Sequence, residues 1–424
     1  MAYKTRGSVA LISVHGDPAV SIGCEEAGGQ NVYVRQMGEA LAERGWTVDM
    51  FTRKSHPDQL NVVKHQPGCR TIRLEAGPQT FVSRDRLFEY LPKFLSAFQT
   101  FQHQNGTIYP LIHTNYWLSA WVGLELKQSQ AIRLLHNNHS LGAVKYRTVT
   151  TVPMIAKTRL QIEKQCLEQA DCVIATSPQE RDYLRSHVST KGNIEVIPCG
   201  TDTQRFQHQN STALRQKLGI RDETKLILYV GRFDPRKGIE TLVRAVGNPE
   251  VQHHQNVKLI IVGGSRSGEK DSQEQNRIRA IVNELGLQDQ VIFAGRIDHE
   301  HLSAYYTAAD LCVVPSLYEP FGLVPIEAMA CGTPVIASAV GGLKFTVVHG
   351  QTGLLVPPKA VDELAHAIDY LFSHPRELHI MGEAGRHRVT TQFSWPGVAD
   401  QMDQLYLTQL HQLCNKFFPG QFVS

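Results

Sequence analysis

The chain contains no C-x-x-C pair and no His-x3-His pair, and its eight cysteines are scattered. That disfavours both a disulfide framework and a structural zinc site, and the expected compartment is a reducing cytoplasm. No apolar run reaches the length of a bilayer span, so no membrane partner is expected. No long basic stretch occurs, and the formal net charge is +3 over 424 residues. The electrostatic footprint of a nucleic-acid binder is therefore missing. Internal repeats and low-complexity segments are absent as well. The opening MAYKTRGSVALISVHGDPAV has a basic start and a short apolar run, but His15 and Asp17 follow at once. It reads as a buried first strand rather than a leader.

What is present is a globular composition, 42% apolar and 20% charged. The length exceeds one ordinary core, so two or three domains are expected. Apolar runs alternate with helical segments: SVALISV (8–14), TVDMFT (47–52), LIHTN (111–115), IRLLHNN (132–138) and CVIATS (172–177). Runs without polar alternation suit strands buried on both faces. Between the first two, residues 30–44 carry Val34, Met37 and Leu41 at helical spacing, which completes a βαβ unit. The pattern then restarts with KLILYVG (225–231), VKLIIVGG (257–264), QVIFAG (290–295), LCVVPS (311–316) and TPVIAS (333–338). The polar stretch IPCGTDTQRFQHQNST (197–212) is the expected linker. The expected fold is α/β: two Rossmann-like doubly wound domains, 1–205 and 206–395, with a cleft between them and an amphipathic helix over 396–424. Ligands of such sheets lie outside the carboxyl ends of the strands.

Two stretches of the second half concentrate polar chemistry at such ends. In ILYVGRFDPRKGIE (227–240) a strand ends at Gly231, and Arg232 and Lys237 follow in a loop restricted by Pro235. Two cations there would select a dianion such as a diphosphate, although solvated loop charges have the same spacing. In YEPFGLVPIEAMACGTPVIAS (318–338) a helix begins near Gly322 and is stopped by Gly332 and Pro334. The amides of Gly322, Leu323 and Val324 would favour an anion. Glu319 and Glu327 can accept hydrogen bonds from vicinal hydroxyls. The first half is less specific. EEAGGQNVYVRQ (25–36) sets Gly28 and Gly29 before a helix but lacks the full G-x-G-x-x-G fingerprint. LLHNNHSLGAVKYR (134–147) supplies His139 and Lys145 at a strand end. Arg84 and Arg159 are further cations, each expected at the surface when taken alone.

Together, GRFDPRKGIETLVRA and EPFGLVPIEAMACGTPVIASAVGG resemble the signature of glycosyltransferase family 4, including its E-x7-E spacing at Glu319 and Glu327. The resemblance implies the GT-B fold and a nucleotide-sugar donor held by the second domain. It implies that Arg232 and Lys237 grip the donor diphosphate, that Glu319 contacts hexose hydroxyls and Glu327 the ribose. Phe321, Gly322, Leu323 and Val324 would border phosphate or sugar, Ile297 would meet the base through its backbone, and Gly29 would border the donor. His139 would lie near the donor sugar, completing a catalytic set with Arg232, Lys237 and Glu319. The last helix would cross back to the first domain.

The first half resembles the sucrose-phosphate synthase branch. AGGQNVYV is similar to its G-G-Q stretch. FVSRDRLFEYLPKF (81–94) is similar to its K-E-x-L-W segment, with Arg84 for Lys and Phe88 for Trp. HSLGAVK matches H-S-L-G-x-x-K, with Ala143 and Val144 where R-D is common. The implied activity is transfer of glucose, with retention, from UDP-glucose to fructose 6-phosphate. Gly28, Gln30, Arg84, Lys145 and Arg159 are then the acceptor set. Fructose or an inositol phosphate as acceptor, and ADP- or GDP-glucose as donor, remain open. A catalytically silent nucleotide-sugar sensor is the non-enzyme alternative. The chain has no D-x-D motif, so no metal and no cofactor beyond the donor substrate is expected to be essential. It has no D-x-D-x-T motif either, so a separate phosphatase is expected to act on the product.

Overall fold

Apolar runs that can be covered on both faces become the centres of two sheets. The computed structural model describes residues 6–20, 29–147, 152–210, 212–264 and 270–417. The chain divides into two compact units, residues 1–198 with 395–424, and residues 199–394.

In the first unit the strands are β1 (Gly7–Ile12), β2 (Trp46–Arg53), β3 (Val62–Gln66), β4 (Cys69–Leu74), β5 (Leu111–Asn115), β6 (Arg133–Asn137), β7 (Cys172–Ala175) and β8 (Ile194–Val196). They lie in the order β3-β4-β2-β1-β5-β6-β7-β8. Every pairing is parallel except that of β3, which runs antiparallel on β4. The helix Gly29–Ala42 leads from β1 to β2 and buries Val34, Met37 and Leu41, the expected apolar stripe.

β3, β4 and β8 escape the sequence reading, and β4 shows why. Its sequence CRTIRL carries two arginines that look solvated. Both are paired instead: Arg70 Nε meets Asp49 Oδ1 at 2.6 Å, and Arg73 Nε meets Asp17 Oδ2 at 2.7 Å. Charges paired with partners distant in sequence interrupt an apolar run without opposing burial.

The helix Trp395–Phe417 belongs to the first unit. Trp46 Nε1 donates to Asp403 Oδ1 at 2.7 Å, Arg44 pairs with Asp400 at 2.8 Å, and Tyr406 Oη meets His113 Nδ1 at 2.6 Å.

The second unit has six parallel strands: β9 (Lys225–Val230), β10 (Val257–Val262), β11 (Val291–Gly295), β12 (Leu311–Val314), β13 (Val335–Ser338) and β14 (Gly353–Val356). Their order is β11-β10-β9-β12-β13-β14. The first unit ends at Pro198 rather than at the expected 205. Residues 199–205 join the second unit because Thr201 N donates to Phe393 O at 2.7 Å and the adjoining Phe206 is buried against His299 and Tyr306. Cys172, Cys312 and Cys331 are core residues, at most 1% exposed. Burial pushes the Cys172 and Cys331 thiols up to about 12, which leaves them unreactive. Among the described residues no helix is long and apolar enough to cross a membrane.

Candidate functional site

In each sheet the chain leaves one central strand in one direction and later returns to build the other side. These reversal points fall between β1 and β5 and between β9 and β12. Loops at the carboxyl ends of the two strands diverge there and leave room for a ligand.

In the second unit the loop after β9 carries Arg232 and Lys237, and the loop after β12 carries Glu319. The two loops are locked together. Asp234 caps the short turn Pro235–Lys237 by accepting from Arg236 N at 3.0 Å. The turn closes on Gly238 at φ 68°, where a Cβ would stand 2.0 Å from the Pro315 carbonyl oxygen. Glycine is therefore required by both backbone angle and space. Leu317 N donates to Arg236 O at 2.7 Å, tying one loop to the other. Lys237 Nζ then reaches Glu319 Oε2 at 2.5 Å, with Arg232 exposed nearby in the same loop. Tyr229 lies beneath and donates to Arg232 O at 3.2 Å. Burial, reinforced by Glu319 and Asp234, pushes its phenol well above the usual range.

The helix Leu323–Ala330 starts beside this pair. Gly322 caps it at φ 100° with no side-chain acceptor, and the amides of Gly322, Leu323 and Val324 lie at its N-terminus. Phe321 is 4% exposed and packs edge-on against Phe393. The Phe321 side chain is thus packed within the unit. Glu327 faces inward, where Oε2 accepts from Tyr306 Oη at 2.8 Å and Oε1 from His299 Nε2 at 3.2 Å. Ile297 is half-buried after β11.

In the first unit Gln30 Nε2 donates to Ser13 Oγ at 3.0 Å and to Asn115 O at 3.4 Å, joining the ends of β1 and β5. His139 adopts φ 55°, and its Nε2 lies 2.8 Å from Asn115 Oδ1. Its ring packs edge-on against Tyr33. Burial, with His136 and His113 adding to it, pulls the imidazole down to about 3. It is neutral near pH 7, a hydrogen-bonding group rather than a further cation. Gly29 is the exposed first residue of its helix, whereas Gly28 lies outside the described residues.

The three cations expected to meet the acceptor differ. Arg84 is exposed, and Lys145 is half-buried at the end of the short helix Gly142–Lys145. Arg159 is 2% exposed, which corrects its expected surface position. Its Nε binds Glu163 Oε1 at 2.7 Å, Nη1 reaches Tyr116 Oη at 3.1 Å, and Nη2 donates to Ser140 O at 2.5 Å. Glu163 also accepts from Gly142 N at 2.9 Å. A Cβ on Gly142 would come within 2.9 Å of Arg159 Nε. Arg159 thus braces the Ser140–Lys145 loop, and its donors are turned inward.

Sequence reasoning passed over His15, Asn115, Tyr116, Arg205, His299 and Tyr306. His15 stands in the loop that leaves β1, and that position beyond a strand end was a usable signal. Its ring lies 4.5 Å from Tyr116, and its buried Nδ1 has no hydrogen-bond partner among the described residues. Arg205 comes from a segment distant in sequence from that of His299 and Tyr306, so no local motif could join the three.

Two α/β units, one presenting an ammonium–carboxylate pair beside a helix N-terminus that no side chain caps, offer groups able to meet an anion and hydroxyls. The model for "Glycosyl transferase 4-like domain" matches residues 28–200, and that for "Glycosyl transferases group 1" matches residues 210–388. The chain belongs to the glycosyltransferases of the GT-B fold. It is 37% identical to a D-inositol 3-phosphate glycosyltransferase of Corynebacterium jeikeium, covering 94% of this chain and 96% of that one. A solved sucrose-phosphate synthase from Thermosynechococcus elongatus is similar at 53% identity with a TM-score of 0.88, covering 96% of this chain and 100% of that one. Anabaena HepE, solved with UDP and glucose, shares the fold at 21% identity and a TM-score of 0.75, over 95% of this chain and 99% of that one.

Proposed function

We propose that this glycosyltransferase moves glucose, with retention, from UDP-glucose to fructose 6-phosphate, giving sucrose 6-phosphate and UDP. One observation carries the choice of acceptor: likeness at 53% identity, over nearly the whole chain, to a sucrose-phosphate synthase. The Lys237–Glu319 pair beside the Gly322 helix cap supports the donor half.

In this reading the donor exchanges the Lys237–Glu319 bond for two others. Lys237, with Arg232, takes the diphosphate, and Glu319 takes a sugar hydroxyl. As the bond to the leaving diphosphate breaks, negative charge grows on it. Preorganised cations and helix amides stabilise that charge. No metal is required in this scheme. His139, neutral, orients the transferring sugar. Arg84 and Lys145 hold the acceptor phosphate, while Arg159 keeps the loop bearing Lys145 in shape. The product then passes to a separate phosphatase.

A second reading keeps the donor and changes the acceptor to an inositol phosphate. The observation in its favour is the 37% identity to D-inositol 3-phosphate glycosyltransferases. Both acceptors are phosphorylated polyols, so the same cations serve either.

UDP release from UDP-glucose, measured with fructose 6-phosphate, fructose and inositol 3-phosphate in parallel, tests the choice. Strong preference for fructose 6-phosphate is expected. Preference for inositol 3-phosphate would transfer the conclusion to the second reading. Equal use of fructose would leave Arg84 and Lys145 without their role. The same assay in excess EDTA tests whether a metal is needed, and undiminished turnover is expected.

A further inference from the structure

Behind Glu327 runs a line of side chains from three separate segments of the second unit. Arg205 Nη1 lies 3.1 Å from His299 Nδ1. A guanidinium can only donate, so Nδ1 must accept, and the ring proton sits on Nε2. That Nε2–H donates to Glu327 Oε1 at 3.2 Å. Tyr306 donates to the other oxygen at 2.8 Å, and burial followed by the Glu327 charge keeps its phenol protonated. The line is enclosed: the His299 and Glu327 side chains are 11% and 10% exposed. Phe206 packs edge-on against both His299, at 4.9 Å, and Tyr306, at 5.9 Å. Asp202 stands 3.8 Å from Arg205 Nε at the far end.

Each Glu327 oxygen thus accepts one hydrogen bond from within the unit. A carboxylate oxygen has two lone-pair directions, so one on each oxygen is left for a ligand. Two acceptor sites so spaced match two vicinal hydroxyls. We propose that Arg205 and His299 form a positioning relay that holds the Glu327 carboxylate at the angle needed by the ribose hydroxyls, which makes His299 a determinant of ribose discrimination in the donor. The relay rests on the reading that Glu327 meets the donor ribose, which the family resemblance implies. Arg205 sets the tautomer, His299 sets the carboxylate plane, and Tyr306 fixes the second oxygen.

The test is calorimetric binding of UDP and of 2′-deoxy-UDP to the full chain, as wild type and as His299→Phe, His299→Gln and Glu327→Gln. Phenylalanine keeps the packing on Phe206 but loses the N–H. Glutamine can set an amide N–H near the place of Nε2. Losing one charge-assisted bond should weaken UDP binding about tenfold in His299→Phe. Binding of 2′-deoxy-UDP, which keeps only the 3′-hydroxyl, should weaken less, so discrimination narrows. His299→Gln should recover most of it. With UDP-glucose, His299→Phe should raise KM and leave kcat near wild type. Wild-type discrimination in His299→Phe, with discrimination lost in Glu327→Gln, would overturn the relay and leave the ribose assignment standing. Wild-type discrimination in Glu327→Gln would overturn the assignment and the relay with it. Loss in both without rescue by glutamine would reduce His299 to packing and overturn the relay. A wild-type chain that binds neither nucleotide would overturn both.

Discussion

Between β1 and β5 the first unit gathers neutral polar groups, Gln30, Asn115 and His139, whereas between β9 and β12 the second gathers charge, Lys237 and Glu319. The two reversal points are topologically equivalent. Their difference shows how burial selects chemistry. His113 on β5 and His136 on β6 are enclosed, and enclosure keeps their imidazoles uncharged: His113 is pulled down to about 4 and His136 to about 3, chiefly by burial. In the second unit the ion pair is partly open, with side-chain exposures of 27% for Lys237 and 16% for Glu319, so its charges persist and can be handed to a ligand. The first unit does hold a buried charge, Arg159, but consumes it internally.

That contrast can be broken most severely at Arg159. Arg159→Met leaves Glu163 buried without its partner, and breaking such a pair costs about 3–5 kcal/mol. Denaturant titration should show the loss, whereas Lys237→Ala should leave stability near wild type. If Arg159→Met is equally stable, the clamp on the Ser140–Lys145 loop is not structural.

Lys237→Ala tests the other side. Removing one preorganised cation from the leaving group should lower turnover about 10²–10³-fold. Steady-state UDP release checks it, and near-wild-type turnover would remove Lys237 from the chemistry.

Acidification should separate the units. Buried His113 and His136, each 1% exposed, stay neutral when folded but take up protons near pH 6.5 when unfolded. Their lowered folded values make the first unit most stable above about pH 6.5. Stability then falls toward pH 4, by about 1.4 kcal/mol per pH unit for each histidine. Hydrogen exchange at pH 7 and pH 5 should show protection dropping more in β5 and β6 than in β9 and β10. Equal loss in both sheets would contradict the contrast.

The smallest effect is expected at Gln30. Gln30→Ala removes two bonds joining β1 to β5 and should lower stability by about 1 kcal/mol. An unchanged thermal midpoint would show that the sheet alone sets that junction.

The charged cluster of the second unit was readable because its parts are local. Arg232 and Lys237 share one loop, Glu319 and Glu327 flank one helix start, and glycines at 238 and 322 are needed by the backbone itself. The polar groups of the first unit were less legible. Arg159 reads as a helix-surface cation until Tyr116, Ser140 and Glu163 are brought round it. Phe321 carries no sign in its own segment that Phe393 packs on its ring. His299 carries no signal in its own neighbourhood, since its meaning comes from Arg205 and Glu327.

By itself the sequence determined the two parallel sheets, most of their central strands, and the loops that carry the charged pair, because uninterrupted apolar runs and turn glycines act over a few residues. Tertiary structure alone decided which charges are spent and which are offered. Pairing, burial and tautomer depend on partners up to hundreds of residues away, as with His113 and Tyr406, and periodicity along the chain cannot encode such meetings.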